Sequence, residues 1–347
     1  MDAIRIAVWN MEWMNDLFTS NDQAPAFRPD DEEPAHSSGT TIKQRRDDLS
    51  GMLKELDADV VVVVEGPNRS EELQLFFDKD LPGAWQTWVQ PTAGQSQLIG
   101  VAVRTDRGMF TDEPLRPFDT NEQPVFSPFP ADIDDDGITE QYKFERKPLY
   151  VEIHPVAGPP FRILGLHLKS KGVFGAYEWS KWWQLADANR KKILAQATHL
   201  RLNFLDTYLE SPETQQIPLI VCGDINDGPG LDASEKRLFG SGIERLMGSV
   251  WRPQASLGNA LFDTLSERDQ RALRFSDLYT ASFSDPIFNN TYHRVWIDHL
   301  LYTQNTATHW VTEAQIHHEV DDGQKLWQKY PHSSDHFPIT ALINTKG

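Results

Sequence analysis

Hydrophobic and polar positions alternate with a period of two in several short runs along the chain, and each of these predicts a strand. Ile4, Ile6 and Val8 alternate with Arg5, Ala7 and Trp9, the pattern of a strand with one strongly apolar face. Val60 to Val64 is an unbroken run of valine, which suits a strand buried on both faces and suits a helix poorly. Further strand-like runs are Leu98–Arg104, Leu149–His154, Phe161–Lys169, Ile217–Asp224, Trp296–Tyr302 and Phe337–Ile343. Between them the period changes to that of helices. Thr41–Leu56 carries Leu49, Leu53 and Leu56 at helical spacing, and Ser70–Leu81 follows. The longest predicted helix runs from about Tyr177 to Leu209, with Trp182, Leu185, Ile193, Leu205 and Leu209 assigned to its core face. The Trp179, Trp182 and Trp183 group reads as core packing in preference to a stacking platform. Asn15–Ser38 and Thr111–Lys147 read as irregular surface insertions in a single domain spanning residues 1–347, because the strand pattern resumes on either side of each.

Several of the apolar runs end in a polar residue that a fold would not need there. The first ends in Asn10 and the valine run in Glu65. Phe161–Leu166 leads to His167, with Lys169 two residues on, and Pro218–Gly223 leads to Asp224, Ile225 and Asn226. A carboxylate directly after five valines must find a cation or hydrogen-bond donors, because burying it bare costs too much. Near the C-terminus, Trp296-Ile297-Asp298-His299 and Ser334-Asp335-His336-Phe337-Pro338 add two carboxylates and an imidazole. His299 follows Asp298 and is expected on the other face of its strand; Glu12, two residues after Asn10, is either a further ligand or a surface residue. Oxygen ligands without thiolates select Mg²⁺ or Mn²⁺ over zinc, with Ca²⁺ as a structural alternative. Cys222 is the only cysteine, so no disulfide forms within the chain; its apolar setting reads as core. Asp132-Ile133-Asp134-Asp135-Asp136-Gly137 matches the first half of a calcium loop. The twelfth position is Lys143 where a bidentate glutamate is required, so a solvated acidic loop is the preferred reading.

The order Asn10, Glu65, His167, Gly223-Asp224-Ile225-Asn226, Trp296-Ile297-Asp298 and Ser334-Asp335-His336-Phe337-Pro338 resembles the endonuclease/exonuclease/phosphatase superfamily, in its deoxyribonuclease-like branch. Phe144-Glu145-Arg146-Lys147-Pro148 resembles a stretch of that branch in which the arginine faces the substrate backbone. The resemblance implies a four-layer α/β sandwich, two central mixed sheets packed face to face with helices outside. It also implies roles. Glu65, Asn10 and Asp335 would hold the metal, and His336 oriented by Asp298 would activate water. Asp224, Asn226 and His167 would complete the catalytic set, with Lys169, Arg146 and Asn226 on substrate phosphates. One departure is that Val64 stands before Glu65 where the family carries glutamine, removing an amide that supports the ligand.

Charge tempers the substrate reading. Fifty-one acidic against 33 basic residues give −18, which argues against tight non-specific binding to long nucleic acid by counter-ion release. A metal ion and a local basic strip can still supply the positive field. The expectation is therefore a metal-dependent nuclease, on DNA before RNA. The alternatives are a phosphodiesterase for a lipid headgroup, sphingomyelinase-like, or a phosphoinositide phosphatase, and then a non-catalytic module. No apolar run approaches the length of a membrane helix, no stable membrane association or protein partner is indicated, and the opening residues lack a signal-peptide pattern. As written the chain is expected in the cytoplasm, or outside the cell if a leader has been removed.

Overall fold

The computed structural model describes residues 3–19, 24–173, 178–229, 238–285, 289–304, 310–320 and 323–345. Its strands, in chain order, are β1 (Ile4–Asn10), β2 (Val60–Gly66), β3 (Trp85–Val89), β4 (Leu98–Arg104), β5 (Phe110–Pro117), β6 (Phe129–Ala131), β7 (Glu140–Tyr142) and β8 (Leu149–Pro155). They continue with β9 (Phe161–His167), β10 (Leu219–Asp224), β11 (Leu257–Asn259), β12 (Ala281–Asp285), β13 (Thr291–Val295), β14 (Asp298–Thr303), β15 (Val311–Ile316) and β16 (Ile339–Ile343). Twelve of these build two six-stranded sheets, ordered β15-β16-β1-β2-β4-β3 and β11-β14-β10-β9-β8-β5. Each sheet is mixed: β1 with β2, and β9 with β10, run parallel, while their other neighbours are antiparallel.

Strand alternation sorts the side chains into three apolar layers. Ile4, Ile6, Val8, Val60 and Val62 of the first sheet meet Leu149, Ile163, Ile220, Cys222 and Leu300 of the second. Ala7, Trp9, Val61 and Val63 face the other way, under α1 (Ile42–Leu56) and α2 (Ser70–Asp80). Leu164, Leu166 and Val221 face outward on the second sheet, under α3 (Trp179–Leu200). Helix, sheet, sheet, helix: this is the four-layer sandwich expected. Helix α1 starts where the sequence reads it, because Thr41 and Gln44 form a reciprocal capping box.

Three differences from the sequence reading have physical causes. The stretch from Thr111 begins as strand, not loop, since β5 runs to Pro117 and pairs with β8. Further along it, Phe126, Phe129, Tyr142 and Phe144 bury in the layer under α3, so this segment is part of the core and not only surface. The third helix continues through a π turn at Arg201–Leu205 to Glu210, where Ile193, Leu205 and Leu209 are buried as expected. Leu185, however, is 39% exposed and Trp183 62% exposed, so neither joins the core, and Trp182 is half-buried. Helical spacing identifies a face; it does not reveal that the first turns of α3 overhang the sheet. Tyr177 and the side chain of Trp179 lie outside the described residues.

Candidate active site

The same alternation that builds the inter-sheet core places the polar residues. Asn10 keeps step with Ile4, Ile6 and Val8, His167 with Phe161 and Ile163, Asp224 with Ile220 and Cys222, and Asp298 with Leu300 and Tyr302. Each is therefore the inter-sheet position at one end of its strand, and together they cap the core at one edge of the sandwich. Asp224 and Asp298 are direct partners across β10 and β14, and Asp224 and His167 across β10 and β9. Glu65 is out of step, because in register with Val61 and Val63 it would face the helices. A β-bulge between Val63 and Gly66, with Glu65 at φ +55°, turns it back to the edge. Gly223, at φ +122°, lies so close to the Leu166 carbonyl that a Cβ would collide with it, which accounts for glycine before Asp224.

Asn10 Nδ2 donates to Glu65 Oε1 (3.2 Å) and to Asp224 Oδ2 (3.1 Å), joining the two sheets. Its own oxygen accepts from the Glu12 backbone N–H (3.0 Å). Glu65 Oε2 accepts from the Trp13 backbone N–H (3.1 Å) and from the side-chain amide of Gln97. Gln97, at the mouth of β4, thus supplies the amide support that the valine before Glu65 takes away. Asp224 Oδ1 accepts from the Asn226 N–H (2.8 Å), and Asn226, at φ +56°, donates to the Leu168 carbonyl (3.2 Å).

On the other side, His336 Nδ1 lies 2.8 Å from Asp298 Oδ2, both side chains buried. The His336 segment is fixed at three points. Its carbonyl accepts from Trp9 Nε1 (3.0 Å), its N–H donates to Ser334 Oγ (3.0 Å), and Ser334 Oγ donates to the Asn10 carbonyl (2.8 Å). Asp335 is 40% exposed with Oδ1 3.8 Å from His336 Nε2. His167 Nε2 stands 3.7 Å from Glu65 Oε1 and 3.8 Å from Asp224 Oδ2, and the Arg146 guanidinium lies against both ring nitrogens, Nε 3.2 Å from Nδ1 and Nη2 2.7 Å from Nε2. Arg146 is thus lodged against an imidazole. Lys169 is set apart: its ammonium contacts the Ser170 carbonyl (3.2 Å) and no carboxylate of the cluster. Buried Gln196 accepts the Lys169 backbone N–H at Oε1 (3.0 Å) and donates from Nε2 to the Lys143 carbonyl (2.9 Å) and Glu145 Oε2 (3.1 Å), holding the Lys169 and Arg146 segments together.

Electrostatics follow from burial and crowding. Burial, then the charge of Asp298, pushes the Asp224 carboxyl up to about 8. Burial and then Asp335 push Glu12 up to about 7. His336 loses from burial yet is held well above the ordinary histidine range by Asp298 and Asp335. Burial and then Arg146 hold His167 well below that range, hence neutral. His299 turns to the opposite face, as expected, with Nε2 2.8 Å from the Asp227 carbonyl.

Crowded carboxylates that resist ionisation ask for a cation. Asp224, Asp298 and His336 each offer a ligand atom within 4.8 Å of the others, and Asp298 Oδ1 is buried without a hydrogen-bond partner. This buried group could hold a metal ion, and the surrounding donors are predominantly hard oxygens. The exposed Asp132, Asp134 and Asp136 also converge, but Lys191 already pairs with Asp134 (2.6 Å).

The chain shares its fold with solved structures that include an endonuclease/exonuclease/phosphatase family protein. Among solved structures, it is similar to an endonuclease/exonuclease/phosphatase family protein from Bacteroides thetaiotaomicron, with a TM-score of 0.51 and 14% identity over 98% of this chain and 94% of that one. It is also similar to D. rerio TDP2 complexed with single strand DNA product, with a TM-score of 0.50 and 15% identity over 99% of both chains. Truncated Caenorhabditis elegans TDP2 gives 0.50 and 12% over 98% and 97%. No protein-family model and no curated protein matches the sequence.

Proposed function

We propose that the protein is a divalent-metal-dependent phosphodiesterase, a nuclease that hydrolyses DNA, or RNA, by activated-water attack. The observation that carries this is the buried Asp298–His336 pair at 2.8 Å, facing the Asn10, Glu65 and Asp224 cluster. Glu65 and Asn10, with Asp335, would hold Mg²⁺ or Mn²⁺, which when bound supplies positive charge to the scissile phosphate and the leaving oxygen.

The chain's own groups do the rest. Asp298 accepts the Nδ1 proton of His336; with a cation bound to offset the carboxylates that raise this imidazole's pKa, Nε2 would be free to take a proton from the attacking water. Asp224, steadied by the Asn226 N–H and the Asn10 amide, orients that water. Neutral His167, held against Arg146 and beside Glu65 and Asp224, would meet a phosphate oxygen of the substrate. Asn226 retains a second amide proton for the same purpose. Arg146 and, further out, Lys169 meet flanking phosphates. That a protein of the same fold, D. rerio TDP2, is complexed with single strand DNA product supports testing nucleic acid first. The charge of −18 supports a second arm with phospholipid.

The test is incubation with supercoiled plasmid, single-stranded DNA, RNA and sphingomyelin vesicles in Mg²⁺ or Mn²⁺, with EDTA and His336→Ala controls. Metal-dependent cutting of nucleic acid that the variant lacks is expected. Cutting that survives His336→Ala or EDTA would refute the assignment, and activity on the vesicles alone would replace nuclease by lipid phosphodiesterase.

A further inference from the structure

The segment after Asn10 carries an arrangement that the chemistry above does not use. Glu12 and Trp13 are consecutive non-glycine residues at φ +41° and +54°, an uncommon conformation that surrounding groups must enforce. Arg45 of α1, 2% exposed, does so. It donates to the Met11 carbonyl (3.0 Å), the Glu12 carbonyl and Ser37 Oγ (2.7 Å), joining residues 11–12 to residue 37 with one guanidinium. The result is that the Trp13 N–H reaches Glu65 while its indole lies flat against His36, centroids 3.6 Å apart and planes 9° apart. Asp16, itself buried, accepts from the His36 backbone N–H (2.8 Å) and lies 2.9 Å from Nδ1, so the imidazole cannot turn.

A ring placed only to pack would be covered. The His36 side chain has one face on Trp13 and one nitrogen on Asp16, yet remains 44% exposed. We propose that Trp13 and His36 form a stacking subsite beside Glu65 that takes the nucleobase next to the scissile phosphate. This rests on the nuclease reading. Stacking on a flat ring is available to every base, so the subsite fits a single-stranded polynucleotide read without sequence preference. A lipid headgroup, lacking a planar ring, would gain nothing from it. Asp16 and Arg45 are positioning residues for the platform.

The test uses single-stranded DNA with one cleavable phosphodiester among methylphosphonate linkages, flanked on each side in turn by thymidine or by an abasic tetrahydrofuran. Wild-type enzyme is expected to show a lower KM, by about five- to a hundred-fold, when the base is present on one flank. His36→Ala should bring that ratio close to one, and His36→Phe, which keeps the ring, should preserve it. A wild-type ratio near one, or a ratio that His36→Ala leaves unchanged, overturns the subsite while metal-dependent, His336-dependent cutting keeps the nuclease reading. No cutting of any oligonucleotide overturns both. Where His36→Ala fails to fold, the wild-type ratio and His36→Phe decide the matter.

Discussion

Asp224→Asn should make the metal-free protein more stable while abolishing its activity. An aspartate in an unfolded chain titrates near 3.9, whereas Asp224 in the fold is pushed up to about 8 by burial and by Asp298. Between those values the native state keeps a proton that the unfolded chain releases, so stability falls as pH rises through this window and stays low above it. At about 1.4 kcal/mol per pH unit the shift corresponds to a ceiling of about 6 kcal/mol. Relaxation and water entry at an effective dielectric constant near 20 reduce this to about 2–3 kcal/mol. Against it stands one cost, because the new amide meets the Asn10 Nδ2 donor that now serves Oδ2 (3.1 Å), a mismatch of about 1 kcal/mol. The gain still wins at pH 8 and vanishes near pH 4. Urea unfolding in EDTA from pH 4 to 9 measures it, and a divalent cation should narrow the gap by stabilising the wild type. A variant with no greater advantage at pH 8 than at pH 4 would refute the reasoning.

Other outcomes follow from the same geometry. Asp298→Asn should lower kcat by about 10²–10⁴-fold by removing the partner of His336, with circular dichroism unchanged; a near-wild-type rate would remove His336 from the chemistry. Gln97→Ala should raise the Mg²⁺ or Mn²⁺ concentration needed for half-maximal activity by about ten-fold, since it strips the amide from Glu65. Arg146→Ala should raise the pKa of His167, which burial and Arg146 hold down, and NMR titration of that imidazole reads the shift. Gly223→Ala should cost about 2 kcal/mol or more in unfolding free energy, because its Cβ would meet the Leu166 backbone.

The legible parts of the molecule were those where burial repeats. Strands β1, β2, β9 and β10 announce themselves because both their faces are covered, and the polar residue closing each run stands out against the apolar ones before it. The β12–β13 ribbon has no such contrast: Phe283 and Tyr292 are exposed, and nothing in their spacing distinguishes them from a loop. Strand β3 was silent for a related reason, lying at an edge with Trp85 and Trp88 only partly covered. Asn10, Glu65, His167, Asp224, Asp298 and His336 were found as a set and lie together. Gln97, Trp13 and His36 were not, since each acts through a contact with a residue distant in sequence and no local pattern marks it. Leu185 and Trp183 failed in the opposite sense, since periodicity assigns a face but not an end to what that face covers.

The strand that carries Asn10 lies between β2 and β16, so the first ordered strand needs the last one as a neighbour. During synthesis β1, β2 and the whole second sheet can be in place while the first sheet is still open beside β1. Asp335 and His336 follow those strands in the chain and stand just before β16, which closes that edge. On the proposed mechanism, a nascent chain therefore carries Asn10, Glu65 and Asp224 without the imidazole that would act with them. Hydrolytic competence would then arrive only when β16 docks on β1, so that closing the sheet and arming the site are one event.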